Sequence, residues 1–221
     1  MARVAPQSTE ALAVRIYPYA ESSAVVVTLT RDLGLARAVA KGAKRTSNGY
    51  RGPLDKCILY AVRLSRRGKE GLFHLTTASV REAFPRLRES APRFFAASFV
   101  LEVAADLMRE NEPHNELFRL TAFTLKALDR APDDRIGLAA AFFLARAVAL
   151  SGHKPEITCC VACGEPLAPD ERPLLGPLRG GVLHPACGAG EPGARLVTPE
   201  LVELLAVLWR HPAGSVLTMK V

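Results

Sequence analysis

The stretch Ala24-Val25-Val26-Val27-Thr28-Leu29-Thr30, continued by Arg31-Asp32-Leu33-Gly34 and Leu35-Ala36-Arg37-Ala38-Val39-Ala40-Lys41, decides how the first third of this chain folds. The first seven residues are dominated by β-branched side chains, the next four hold the Asp and Gly of a tight turn, and the last seven alternate. Together they read as a β-hairpin. In its second arm Arg37 and Lys41 share one parity with Val39, so these basic groups stand on one side of the strand. Working outward, Ala13-Val14-Arg15-Ile16-Tyr17 alternates ahead of the hairpin. Behind it, Gly42 to Pro53 carries three glycines, one proline and the basic residues Lys44, Arg45 and Arg51, and reads as a mobile loop. A fourth strand follows from Leu54 to Ser65, with Ile58, Tyr60, Val62 and Leu64 on one face. The turn Arg66-Arg67-Gly68-Lys69-Glu70-Gly71 leads to a fifth strand ending at Ala78. Five short, closely spaced strands predict a small barrel, because closure removes exposed sheet edges.

From about residue 81 the apolar period becomes helical. Pro92 suits the first turn of a helix from Arg93 to Glu110, with Phe95, Phe99, Val103 and Leu107 forming one apolar stripe. A second helix is predicted from His114 to Arg130, ended by Ala131-Pro132. A third, capped by Asp133 or Asp134, runs to Ser151-Gly152, and a last one opens at Pro199 and ends near Arg210. Short connections between the first three predict a bundle. The fold class is therefore α+β and multidomain: residues 1–80 a barrel, residues 81–221 a helical domain with a module inserted at 155–195.

Charge is segregated between these parts. Residues 1–80 hold 13 Lys or Arg against 5 Asp or Glu, a net of +8; the remainder holds 16 against 17, a net of −1, which together recover the +7 of the chain. A local positive field of this size most often meets a phosphate backbone. The candidate contacts are Arg15, Arg37, Lys41, Lys44, Arg45, Arg51, Arg63, Arg66 and Arg67. Tyr17, Tyr19, Tyr50, Tyr60 and Phe73 are available for base stacking, with Tyr17, Tyr60 and Phe73 equally suited to a core. Residues 1–9 have no apolar run, so no secretory signal is expected, and Leu138–Leu150 is too short to span a bilayer.

Four of the five cysteines fall within 29 residues, a spacing that suits a metal site in a reducing compartment better than a disulfide framework. Cys160-Val161-Ala162-Cys163-Gly164 and His184-Pro185-Ala186-Cys187-Gly188 each place two residues between ligands, with 20 residues between Cys163 and His184. This is a zinc-ribbon pattern with one Cys replaced by His. The predicted ligands are Cys160, Cys163, His184 and Cys187. Cys159 also has an allowed spacing to Cys163, and Cys160 is preferred because it mirrors the other arm. Glycine directly after each arm suits a positive φ. Four protein ligands leave no open position, so a single zinc ion would be structural. The segment between the arms is rich in Gly and Pro and poor in large apolar residues, and a metal would serve as its staple. Cys57 reads as a small buried hydrophobe.

No Walker loop, GxGxxG, GxSxG or HExxH occurs in the sequence. His74, His114, His153 and His211 lack acidic or nucleophilic neighbours at a telling spacing. Glu102, Asp106, Glu110, Glu112 and Glu116 read as a solvated helix face and its turn. The expectation is a protein without an active site.

The order of segments resembles the RecO family of bacterial recombination and repair mediators. The resemblance rests on the basic five-stranded barrel, Lys41-Gly42-Ala43-Lys44-Arg45 with Arg51-Gly52-Pro53-Leu54, the helical region and the Cys-x-x-Cys-Gly knuckle in the C-terminal half. It covers nearly the whole chain and implies that the barrel is an OB-fold. It implies binding to single- and double-stranded DNA, annealing of complementary strands, and action with RecR and RecF in displacing single-stranded DNA-binding protein (SSB) and loading RecA. It also implies a cytoplasmic, nucleoid-associated protein with no membrane partner. His184 stands where the family usually has Cys, and relatives continue past the position of Val221. A residual groove among Phe94, Phe95, Phe118 and Phe123 would suit the SSB tail. The competing reading is a zinc-ribbon protein-interaction or RNA-binding regulatory module without annealing activity. Replacing Lys44, Arg45 and Arg51 together by Ala is expected to weaken DNA binding and to flatten the slope of log affinity against log salt by about 2 for single strands. Titrations at several salt concentrations measure this, and an unchanged slope would remove the loop from the interface.

Overall fold

The structure, a computed structural model, describes residues 6–43, 54–66 and 71–211. Packing groups the chain into two compact units, Met1–Phe143 and Leu144–Val221. The predicted contacts Lys44, Arg45, Arg51 and Arg67, with Tyr50, lie outside the described residues.

Five strands, β1 (Gln7–Tyr19), β2 (Ser23–Thr30), β3 (Gly34–Ala40), β4 (Ile58–Ser65) and β5 (Phe73–Ala83), close into a barrel of order β1-β2-β3-β5-β4. The pairings β1–β2, β2–β3, β1–β4 and β4–β5 are antiparallel, while β3 meets β5 in parallel through Ala38–Phe73 and Val39–His74. This is the strand order of an OB-fold. The expected five-stranded barrel is thus present.

Side-chain size explains the tight closure. The interior is lined by Ala11, Ala13, Ala36, Ala38, Ala40 and Ala78 opposite Tyr60, Leu64, Phe73 and Leu75, with Val26 and Val62 between them. Alternating small and large residues fill a narrow barrel without voids. A bulge at Ala13/Arg15 resets the parity of β1. Ahead of it Ala11 and Ala13 join the interior cluster; beyond it Ile16 packs against that cluster and Tyr17 and Tyr19 are exposed. Leu12, Val14 and Leu29 are buried although they are not among the interior residues. Helix α1 (Ala91–Leu107) lies against β1 and β2, which is why these strands read as near-continuous apolar runs.

Helix α1 packs on α2 (Asn115–Arg130). The stripe expected to form its core face is instead largely open, with Phe95 69% and Phe99 45% exposed. The buried face is Arg93, Ala97, Val100, Leu101, Ala104 and Ala105. The helix is apolar nearly all round, so period alone does not choose a face, and the alanines allow closer approach of neighbouring backbone. Arg93, 3% exposed, donates to the Leu128 carbonyl at 2.6 Å and to Asp133 at 2.5 Å. It therefore satisfies a carbonyl in the last turn of α2. His114 caps α2, its Nδ1 accepting from the Leu117 amide at 3.3 Å. Helix α3 spans Ile136–Leu150, and the Phe142 ring meets Phe123 edge-on at 6.5 Å between centroids.

In the second unit, β6 (Leu174–Gly176), β7 (Gly181–Leu183) and β8 (Arg195–Leu196) form a sheet of order β7-β6-β8, followed by α4 (Pro199–Arg210). Trp209 Nε1 donates to the Ala145 carbonyl at 2.9 Å and Arg146 Nε to that of Leu208 at 2.8 Å, tying α4 to the end of α3. Among the described residues no helix is long and apolar enough to cross a membrane.

Gly34, which opens β3, has φ +70°, and a Cβ there would stand 2.4 Å from the Arg109 carbonyl oxygen and 2.5 Å from that of Glu112. The Leu35 amide donates to the same Arg109 carbonyl at 3.0 Å. The barrel and the end of α1 meet backbone to backbone at this point. Gly34→Ala is expected to cost roughly 3 kcal/mol, combining a disfavoured φ with a backbone clash; chemical denaturation measures the loss.

Candidate nucleic-acid interface and metal centre

The barrel interior admits no charge, so its basic residues sit outside or at its ends. Arg15, beyond the bulge of β1, donates from Nε to Glu102 of α1 at 2.8 Å, and its NH2 group meets the same carboxylate. That hydrogen bond, then the charge of Glu102, raises the guanidinium pKa above its ordinary value. Arg37 on β3 pairs with Glu110 just beyond α1 at 3.1 Å. Glu102 and Glu110, expected to be solvated, thus face the barrel and pair with two of its arginines. The reason is register: α1 lies against β1 and β2 and brings its end to β3 through the contacts at Gly34.

The remaining described candidates separate. Lys41 is exposed just after β3. Arg66 lies over the Phe73 ring at 4.6 Å and shares with Arg37 and Glu110 a cavity of about 230 Å³. Arg63, exposed on β4, lines a different groove with Arg31 and Arg81. Sequence reading missed Arg31 and Arg81. Arg31 sat in a segment taken only as a turn, and Arg81 lies past the expected end of the fifth strand. The β4–β5 register was the missing signal.

Of the aromatic candidates, Tyr60 and Phe73 are core, and the Tyr60 hydroxyl accepts from the Asp55 amide at 2.8 Å. Tyr17 and Tyr19 are 50% and 57% exposed at the end of β1, on the same parity as Arg15. Two accessible rings on the same face as Arg15 can stack bases while the arginine meets a phosphate.

In the second unit the knuckles converge. Donor atoms of Cys160, Cys163, His184 and Cys187 all lie within 4.8 Å of one another. One tetrahedral ion with bonds of about 2.0–2.3 Å can reach all four with small adjustments. His184 turns Nδ1 toward the sulfurs, 3.4 Å from Cys163 Sγ and 4.0 Å from Cys187 Sγ. Its Nε2 contacts the Pro166 carbonyl at 3.3 Å and Glu171 at 3.6 Å. A proton held on Nε2 by these acceptors leaves Nδ1 free to ligate. Cys159 stands outside the group, in an isolated bridge to Pro166.

The arms are shaped by short turns. The Gly164 amide donates to the Cys160 carbonyl at 2.8 Å, and the Gly188 amide to that of His184 at 2.9 Å. The glycines serve differently. Gly164 has φ +80°, as expected. Gly188 is needed for space, since a Cβ there would meet Leu174 Cδ1 at 2.7 Å. Burial opposes the Cys160 thiolate, yet the amides of Cys163, His184 and Ala162 bring its pKa down to about 6. Burial, then hydrogen bonding with Cys163 and Cys160, pushes Cys187 up to about 11. Negative charge is therefore favoured at Cys160 over Cys187, and a cation at this point would favour the thiolate of Cys187 as well.

Sequence comparison agrees with the barrel topology. Residues 1–84 match the family described as Recombination protein O N terminal, and residues 88–216 that described as Recombination protein O C terminal. The chain is 35% identical over 198 residues to the DNA repair protein RecO of Anaeromyxobacter sp. (strain Fw109-5), covering 89% of this chain and 77% of the relative. It is 33% identical over 207 residues to that of Anaeromyxobacter dehalogenans (strain 2CP-C), covering 91% and 77%. Identity to that of Desulforudis audaxviator (strain MP104C) is 31% over 214 residues, covering 96% and 83%. Both halves of the sequence, matched in order over nearly their full length, carry the conclusion that the chain belongs to the recombination protein O (RecO) family.

Proposed function

We propose that this protein is a DNA repair and recombination mediator of the RecF pathway, without catalytic chemistry. The barrel of residues 1–80 binds single- and double-stranded DNA and anneals complementary strands. With RecR and RecF it helps load RecA onto SSB-coated single strands, as a cytoplasmic, nucleoid-associated protein. The observation that carries the DNA-binding reading is the pair Tyr17 and Tyr19, exposed beside Arg15 on an OB-type barrel. Residues 81–221 provide partner surfaces, and the open Phe95/Phe99 stripe of α1 supports a role in protein contacts.

Cys160, Cys163, His184 and Cys187 would hold one structural zinc ion. Three soft thiolates and an imidazole suit Zn²⁺, and four protein ligands leave no position for a reacting water. The ion would join both knuckles of a module with few large buried side chains.

Two experiments test these readings. Mixing the protein with two complementary oligonucleotides should speed their pairing; a preference for RNA, or no acceleration, would favour the regulatory alternative. In equilibrium titrations Tyr17→Ala/Tyr19→Ala should weaken single-strand binding by roughly 1–3 kcal/mol per stacked base and duplex binding far less. For the metal, the purified chain should contain about one zinc per molecule, and Cys163→Ser or His184→Ala should lower that to near zero. Elemental analysis and proteolysis of the 155–195 segment read the outcome; full zinc content in both variants would overturn the ligand set.

A further inference from the structure

The groove that holds Arg63 is left unused by the Tyr17/Tyr19 face. It is an open groove of about 470 Å³ whose charged lining is Arg31, Arg63 and Arg81 against Glu10 and Asp32, with Ser8, Thr77 and Ser79 among its hydroxyls. Its floor is the outer surface of β1, β4 and β5. Register sets the layout: Ser8 pairs with Arg63, which pairs with Thr77; Glu10 pairs with Ala61, which pairs with Ser79. Directly opposed residues in an antiparallel sheet point the same way. The two rows are therefore parallel, about 7 Å apart along the strands. Small Ala61 at the centre lets a chain lie close to the sheet, and hydroxyls flank it on both sides.

Two of the three arginines, Arg31 and Arg81, already share one weak carboxylate partner, Glu10. The Arg31 amide donates to the Glu10 carbonyl at 3.0 Å, and the Thr9 hydroxyl donates to Asp32 at 2.7 Å, pinning the β2–β3 turn to β1. Arg31 and Arg81 reach Glu10 from two sides at only 3.4 and 3.8 Å. Arg63 makes no ion pair with another described residue. Long, exposed pairs of this kind are worth about 0–1 kcal/mol, so a phosphate can displace Glu10 at little cost. Arginines with serine and threonine hydroxyls are the usual partners of a sugar-phosphate backbone.

The geometry points to a second phosphodiester-backbone site at Arg31, Arg63 and Arg81, which holds the second strand during annealing. This rests on the DNA-annealing reading above and deepens it: one barrel carries two separate tracks, one at Tyr17, Tyr19 and Arg15 and one over β1, β4 and β5. Two tracks keep the strands apart, with charge neutralised, until their bases meet. Glu10 tunes the second track by competing with the strand for Arg31 and Arg81.

The test uses the full chain, a thymidine homopolymer for affinity and two complementary oligonucleotides for annealing. R63A/R81A should slow annealing about tenfold and flatten its salt slope by about 1.4, as expected for two lost contacts to single-strand phosphates. Affinity for the homopolymer should fall much less, because the tyrosine face still binds it. E10Q should anneal about threefold faster, on the scale of one exposed charge pair. R119A/R195A, which removes the same charge from α2 and β8, should match wild type. Equal annealing by R63A/R81A and R119A/R195A, or slower annealing by E10Q, overturns the second track. Failure of wild type to bind or anneal DNA would overturn the functional reading itself.

Discussion

Closure of a barrel too narrow for anything but alanine on one side governs the rest of this molecule. The parallel contact of β3 with β5 brings Ala36, Ala38 and Ala40 against Phe73 and Tyr60. An interior packed this closely leaves no space for a charged side chain, and burying one unpaired would cost several kcal/mol. The basic residues described in the first third therefore lie outside the barrel or at its ends. Its arrangement there follows from strand register: the bulge at Ala13/Arg15 sets which residues of β1 face out, and the β4–β5 pairing aligns Arg63 with Thr77.

The acidic residues at and beyond the end of α1 add a second constraint. Glu102 and Glu110 pair with Arg15 and Arg37 as phosphates would. Both pairs are largely exposed, a class worth about 0–1 kcal/mol. Such pairs do not lock the barrel shut; they set a mild competition between carboxylate and phosphate. They also orient arginines that would otherwise sweep through solvent, which lowers the entropy a ligand must remove. Glu10 stands in the same relation to Arg31 and Arg81 across the barrel. On the proposed function, such intramolecular carboxylates would help the protein release strands as well as hold them.

Much of this was legible from residue pattern because local rules and tertiary structure agree. The hairpin around Arg31–Gly34 and the start of α4 at Pro199 occur where turn and capping chemistry place them. The four residues able to hold a metal are brought together by two knuckles that each depend on only a few consecutive residues. What escaped was everything set by long-range register. The face of α1 could not be chosen because Phe95 and Phe99 look as core-like as Val100 and Leu101; the alanine side is chosen by packing against α2 and the barrel strands β1 and β2. Arg31 and Arg81 are 50 positions apart in the sequence and meet at Glu10. Pattern alone also assigned one cause to two glycines that are needed for different reasons, backbone angle at Gly164 and space at Gly188.

The C-terminal module shows how differently the two halves reach stability. The barrel is held by a dozen buried side chains in one cluster. From Cys160 to Cys187 the buried residues are Cys160, Pro173, Gly176, Gly181, Val182 and Leu183, of which only Leu183 and Val182 carry sizeable aliphatic side chains. Strands of three residues or fewer, β6, β7 and β8, are too short to be stable alone. A metal ion held by the four clustered side chains, as proposed, would substitute for the missing core, because its binding free energy would become folding free energy. The hydrogen bonds from Cys163, His184 and Ala162 that favour a thiolate at Cys160 prepare the first ligand, and the contacts of His184 with Pro166 and Glu171 orient the third. On the proposed function, a bound ion would couple the order of the ribbon to metal supply rather than to the packing of side chains.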